Sequence, residues 1–488
     1  MSRAFGLLVL LFAAATAASA KDLIGVFDDA VQNDPQIRAA NANRLAQREA
    51  RPQALAALLP QLSGTAAITR DTMSGRADTQ QVNANNQPIL VPQTTTMTTT
   101  TKQWNVNLQQ NLFSWANWMT LRAASAEVAQ AEATYQAAEQ SLVLRVAQAY
   151  FTVLSAEDGL EAQQASLEAI SRQLDQANQR FEVGQTAITD VQEAKAARDT
   201  ATAAVIAAKR TLATAEDQLQ EITSQKYDTL AKPGTDMPLN MPEPADENRW
   251  VSVSLDQNLS LISSRLAADI ARENVRVAFG GHLPTIDLVA SNSYSDATAN
   301  EHLVGQDFDQ NFNNVITRNH DRQVSLQITV PLFSGGLTQS RVRQSQYLWI
   351  AAKEQVVQTS RATERQARDA YLGVISGIAR VRALRQALES SQTALAATEA
   401  GYEVGTRTAV DLLNSRRTLV QAQTDYSGSR YDYIVSIFQL RLAAGNLDFA
   451  HLAEINRWLV AQARTSPAVP TPQNLSPTIP PDTARKSQ

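Results

Sequence analysis

The sequence predicts an α+β membrane protein. Each chain supplies four strands to a trimeric transmembrane β-barrel that runs on into long α-helical coiled-coil hairpins, and the plan is duplicated within the chain. Three observations predict this. Residues 181–191 read FEVGQTAITDV and residues 402–412 read YEVGTRTAVDL, each setting a glycine, Gly184 or Gly405, between two alanine-rich helical patterns. A helix that stops at a left-handed glycine and restarts within a few residues is a hairpin tip, and two such tips imply a repeated architecture. No stretch after residue 20 holds eighteen consecutive apolar residues, so a membrane could be crossed only by strands of a closed barrel. Short alternations of apolar and polar residues, the mark of half-exposed strands, flank the helical runs.

The N-terminus sends the chain out of the cytoplasm. Arg3, the apolar run from Phe5 to Phe12 and the small residues ending Ala18-Ser19-Ala20 make residues 1–20 a secretory signal peptide, with the mature chain starting near Lys21. An uncleaved anchor helix is the weaker alternative, because the run is too short to span a bilayer. The chain has no cysteine, which excludes disulfides and a lipid anchor on an N-terminal cysteine. Its formal net charge of −5 is mild and the two signs are interspersed, which argues against nucleic acid as a partner.

Residues 22–57 read as helix broken near Asn33-Asp34-Pro35, where caps and proline coincide. From Gln61 to Thr69 every second position is apolar or small, as in a strand. Residues 72–101, polar and rich in threonine, read as a long surface loop. Trp104 to Leu112 alternates again, and Phe113, Trp115 and Trp118 crowd its end where an aromatic belt would lie at a membrane interface. A strand packed on a soluble core is the alternative for this stretch.

Trp115 to Glu182 has no proline. Leu121, Val128, Tyr135, Leu142 and Ala149 recur every seven residues beside Ala124, Ala131 and Ala138, which are the a and d positions of a coiled coil. At 1.5 Å per residue the rod is roughly 100 Å long. The return helix through Val191, Val205, Leu212 and Leu219 is about half as long by the same rise, and residues 252–279 would supply the missing half. The proline-rich insert Lys232 to Pro244 would bulge between them as a collar.

The second half repeats the order. Leu283-Pro284 echoes Leu59-Pro60, a polar loop is expected over 294–321, Val324 to Leu332 alternates, and Ala370-Tyr371 echoes Ala149-Tyr150. The half-length helix 408–444 would find its partner in residues 22–57. The domain reading is therefore a signal peptide (1–20), a first repeat (21–241), a second repeat (242–460) and a disordered tail rich in proline, serine and threonine (461–488). Four strands cannot close, and open edges are intolerable in lipid, so the chain must oligomerise. Dimer and trimer both satisfy the count, while a lumen favours about twelve strands.

The order of elements, Gly281-His282-Leu283-Pro284, AITDVQ at 187–192 and GTRTAVD at 405–411 together resemble the TolC family of outer-membrane channel-tunnels, over nearly the whole mature chain. The resemblance implies a homotrimer with a barrel in the outer-membrane lipid and a helical tunnel in the periplasm. It also implies partners: a periplasmic adaptor protein and an inner-membrane efflux pump or ABC transporter, serving multidrug efflux and type I secretion. It places the closing contacts at Gln173, Thr189, Asp190, Glu399, Tyr402 and Arg407, with Asp190 paired to Tyr402 and Arg407, and Gln173 meeting Glu399 of a neighbour. On helix faces, Gln173 and Glu399 could equally be ordinary solvated residues. Asp411 would line the lumen constriction. Where the family pattern has a second aspartate three residues on, this chain has Asn414, which puts strong cation selectivity in doubt. Thr408 to Asp411 is also a helix-capping signature, whereas Ala187 takes the threonine's place ahead of Asp190.

Nothing in the sequence points to catalysis. His282, His302, His320 and His451 are scattered without metal-ligand spacing, and there is no phosphate loop, nucleophile elbow or cysteine nucleophile, so no cofactor and no metal are expected. The other functional class, a coiled-coil surface or adhesive fibre anchored by a barrel, is disfavoured because a fibre needs neither return helices nor matched tips.

Overall fold

Helix breaks fall where a short polar side chain can cap the next turn. In the computed structural model, which describes residues 20–82, 87–234, 237–305 and 309–460, α1 (Leu23–Asn33) gives way to α2 (Pro35–Arg48) at Asp34, and the short α3 (Ala50–Ala56) follows. The Asp34 carboxylate accepts from Gln36 N at 3.0 Å and is met by the Arg145 guanidinium. α6 (Glu247–Gln257) gives way to α7 (Leu259–Phe279) in the same manner at Asn258. There the side-chain oxygen accepts from Leu261 N at 3.1 Å and the amide donates to the Ala443 carbonyl at 3.1 Å. Both breaking residues are buried, so each is a fixed joint rather than a frayed end. The signal peptide and the tail from 461 lie outside the described residues.

Two compact units divide the chain. One comprises residues 42–133 and 262–359 and holds a four-stranded antiparallel sheet ordered β1-β2-β4-β5. Its strands are β1 (Gln61–Val82), β2 (Pro88–Ser114), β4 (Thr285–Val304) and β5 (Asp309–Thr329). The strands overturn the two loop expectations. Residues 72–82 and 88–101 are paired strand, from Thr72 opposite Thr98 to Val82 opposite Pro88. Residues 294–304 and 309–321 pair likewise. Polar residues occupy both faces there, so the alternation that marks a strand disappears. Threonine nonetheless favours the pleated backbone and pairs across it, as Thr72 and Thr98 do with hydroxyls 3.3 Å apart.

The register shows what alternation along one strand could not. Leu62, Leu108, Ala290 and Val324 form one row across all four strands. The row of Phe113, Ile286 and Ile328 lies on the same face toward the helices, and Ala66, Trp104, Tyr294 and His320 lie toward the hairpin ends. Trp104 stacks on Tyr294 at 6.4 Å, and His320 meets both rings edge-on. Alternate rows, such as Ser63, Asn107, Ser291 and Gln323, are polar. On this face Ile286, Leu288 and Ala290 of β4 and Ile328, Leu326 and Val324 of β5 are apolar over about 13 Å at roughly 3.3 Å per residue, and Asn292 and Arg322 stand between them and the row of Trp104, Tyr294 and His320. Where α7 meets the start of α4 (Trp115–Glu182), Gly280 approaches so closely that a Cβ would lie 2.9 Å from Ala116 N.

The other unit holds residues 20–41, 134–261 and 360–460 of the described chain. Its helices include most of α4, α5 (Ile188–Thr223), α6, most of α8 (Leu337–Glu403), α9 (Ala409–Ala444) and α10 (Phe449–Asn456). α4 has 68 residues and α8 has 67, while α5 and α9 have 36 each. The core centres on Tyr150, Phe151, Leu154, Tyr433, Ile434 and Phe438, all essentially inaccessible.

The proline-rich insert is stitched onto this core rather than bulging free of it. Tyr150 donates to the Ala231 carbonyl at 2.7 Å, and the Tyr433 hydroxyl both donates to and accepts from the Asn240 backbone. β3 (Lys232–Pro233) pairs with β6 (Leu459–Val460), which draws in the end of the described chain. Lys232 reaches into α4, with Nζ 2.8 Å from Asp158, 3.6 Å from Glu157 and 4.0 Å from Glu161. The Tyr431 hydroxyl of α9 donates to the same Asp158 at 2.7 Å.

Candidate functional site at the hairpin tips

Glycine makes both tips. At the end of α4, Gly184 has φ +75°, Gly184 N donates to Phe181 O, and Gln185 N donates to Arg180 O at 2.8 Å. At the end of α8, Gly405 has φ +79°, and Thr406 N donates to Gly401 O at 2.8 Å. These bonds satisfy the last carbonyls of each long helix through a residue whose backbone other side chains rarely adopt.

The helices that restart are capped differently. At α9, Thr408 and Asp411 form a reciprocal capping box: Asp411 N donates to the Thr408 hydroxyl oxygen at 3.2 Å, and Thr408 N donates to the Asp411 carboxylate at 3.0 Å. Bonds from the Thr408 backbone and hydroxyl, with the nearby Arg407 charge, hold the Asp411 carboxyl below its ordinary pKa. At α5, Ala187 offers no cap, and Asp190 accepts instead from the Thr186 hydroxyl just outside the helix. The capping reading of Asp411 is thus realised within the chain, while Asp190 is fixed by a residue the sequence motif did not single out.

The other site residues fall as follows. Gln173 is 5% exposed, and both its side-chain polar atoms are buried without a hydrogen-bond partner among the described residues. Below it Leu174 and Ala177 pack on Val191 and Ala194 to close the first hairpin. In the second hairpin, Glu399 takes a 2.7 Å ion pair from Arg416, and Ser415 donates to the Thr398 hydroxyl at 3.2 Å. The Tyr402 ring lies under the guanidinium of Arg180 at 5.5 Å. Thr189, Arg407 and Asn414 are exposed. Within the chain, among the described residues, Asp190 meets Thr186 rather than Tyr402 or Arg407. The structure therefore adds Thr186, Arg180 and Arg416 to the site. The sequence carries a signal for Arg416: it and Glu399 stand at opposite charge on the two arms of a hairpin, facing each other across Gly405.

The chain matches the family described as Outer membrane efflux protein over residues 26–225 and again over 250–446. The chain belongs to the outer membrane efflux protein family. It is 34% identical to the outer membrane protein TolC of Vibrio cholerae over 90% of this chain and 94% of that one. It is 28% identical to the alkaline protease secretion protein AprF of Pseudomonas aeruginosa, covering 89% and 86%. Its fold is similar to that of the Campylobacter jejuni CmeC outer membrane channel, with a TM-score of 0.68 at 18% identity and 89% of each chain covered. An outer membrane efflux protein is a transport duct and not an enzyme, and this one resides in the outer membrane of a Gram-negative bacterium. It serves there as an exit channel for efflux and type I secretion.

Proposed function

We propose that three copies close one barrel and that the two hairpins of each copy form the gated inner end of the duct. The observation that carries this is the sheet: β1 and β5 are edges without a partner strand among the described residues, and one face carries apolar rows from Phe113, Ile286 and Ile328 to Leu62, Leu108, Ala290 and Val324. Such edges cannot stand in lipid, and three chains give about twelve strands, enough for a lumen. The near-equal lengths of α4 and α8, and of α5 and α9, support reading the chain as two copies of one plan joined near residue 241.

In this reading the helices extend into the periplasm. A periplasmic adaptor and an inner-membrane efflux pump or ABC transporter engage them and supply the energy. Gln173, Thr189, Asp190, Glu399, Tyr402 and Arg407 hold the tips closed. An exposed guanidinium–carboxylate contact is worth about 1 kcal/mol or less, and contacts of that size can be broken by a docking partner. Asp411 and Asn414 line the constriction, so three-fold symmetry gives one acidic ring and one neutral ring, and cation selectivity is weak. The test is single-channel conductance in planar bilayers: Arg407→Glu raises it above wild type, and an unchanged conductance removes Arg407 from the gate.

A further inference from the structure

The two tips of a single chain are joined by a contact outside the pairs that the family resemblance implies. Arg180 stands in the last turn of α4 and Tyr402 in the last turn of α8, and the guanidinium carbon lies 5.5 Å from the centroid of the ring. Each hairpin is already closed by contacts of its own, apolar in the first and through Glu399–Arg416 and Thr398–Ser415 in the second. The Arg180–Tyr402 contact does something different: it couples one hairpin to the other.

Chemistry explains why these two residue types meet. The face of an aromatic ring is electrically negative and attracts a cation held within about 6 Å. Arg180 has no carboxylate partner among the described residues. Both Arg180 and Tyr402 are half-buried, so the ring face is partly shielded from competing water. The Tyr402 hydroxyl makes no hydrogen bond within the chain among the described residues, which leaves the face as the part of the side chain in use.

On the reading of the tips as the gate, we infer that Arg180 is a further gating residue. Its guanidinium clamps the face of Tyr402 and so holds the two hairpins of one chain together in the closed state, and opening requires the cation to leave the ring. Because the contact lies inside one chain, it sets how far a hairpin can swing before any contact with a neighbour is counted.

Full-length trimers carrying Arg180→Gln, Arg180→Lys, Tyr402→Leu or Tyr402→Phe, each beside Arg407→Glu, test this in planar bilayers. Loss of a cation–π contact shifts the closed-to-open ratio by about two- to fivefold, so Arg180→Gln and Tyr402→Leu raise the time spent at high conductance by that factor per chain. Lysine keeps a cation and phenylalanine keeps a face, so Arg180→Lys opens less than Arg180→Gln, and Tyr402→Phe opens less than Tyr402→Leu. The double variant R180Q/Y402L opens no further than Tyr402→Leu alone, since without the ring the guanidinium has nothing left to hold. If Tyr402→Phe opens as much as Tyr402→Leu, the hydroxyl and not the face is at work, and the clamp is overturned. If Arg407→Glu opens the channel while Arg180→Gln conducts like wild type, the tips remain the gate and the clamp alone falls. If neither opens it, the gate reading falls and takes the clamp with it.

Discussion

Glu157 shares one ammonium with two other carboxylates, and that crowding decides how it titrates. Burial pushes its pKa up to about 7; the pull of Lys232 works against this, and the charges of Asp158 and Glu161 add to it. Burial by itself would lower Lys232, but the hydrogen bond and charge of Asp158, with the charges of Glu157 and Glu161, outweigh it and raise the ammonium. Lys232 therefore stays charged throughout the pH range in which Glu157 changes state. The folded protein holds a proton on Glu157 up to about pH 7, whereas the unfolded chain releases it near the ordinary value of 4.5. The stabilisation is full below 4.5 and is lost as the pH rises through 7. Glu157→Gln keeps the shape and removes the titration, while Asp158 still anchors Lys232. Melting followed by helical circular dichroism in detergent should show the wild type losing more stability than the variant between pH 5 and pH 8. Equal losses would mean that Glu157 is ionised in the folded protein throughout that range.

At the scale of elements, the two returning helices pose a natural comparison, because α9 begins with a reciprocal cap and α5 begins without one. Removing a threonine cap costs about 1 kcal/mol, or about a fivefold change in opening, confined to the first turn. Thr408→Ala should therefore speed hydrogen exchange at the amides of Asp411 and Leu412 by about that factor while the amides around Tyr433 exchange as before. Slowed or unchanged exchange at Asp411 would show that the cap adds nothing there. Cap, break and tip residues act on their own neighbourhood, and this is why the helices were legible in the sequence: α4 runs from Trp115 to Glu182, the limits its proline-free repeat suggests. The outer halves of the strands were not legible, because polar residues such as Thr95 and Asn300 stand on both faces and leave no alternation to read. The second aromatic row was hidden for another reason. Trp104, Tyr294 and His320 come from three separate strands, and only the pairing register brings them together. The tip contacts divide in the same way: the Thr408–Asp411 cap joins residues three positions apart and is visible, whereas Arg180 on Tyr402 joins positions far apart in the chain.

For the whole molecule, the decisive quantity is how many copies bring the sheet to closure. Each chain ends its sheet at β1 on one side and β5 on the other. In a ring every β5 must lie beside the β1 of the next chain, since the interior order β1-β2-β4-β5 leaves no other edge free. The chain has no cysteine, so any disulfide between introduced cysteines reports this one boundary. Leu62 on β1 shares a face with Val324, Leu326 and Ile328 on β5, with all four side chains more than half exposed in the single chain. Facing strand positions lie about 4.5–5.5 Å apart at Cα, within the range a disulfide spans. Leu62→Cys combined in turn with Val324→Cys, Leu326→Cys or Ile328→Cys, oxidised in isolated outer membranes, should give covalent dimers and trimers in at least one pairing. The series should end at three chains, and each single variant should remain uncoupled. A series that ends at two would mean that eight strands close the barrel and leave little lumen. A ladder that continues past three would mean that the strands join an open assembly, as a fibre would and a duct could not.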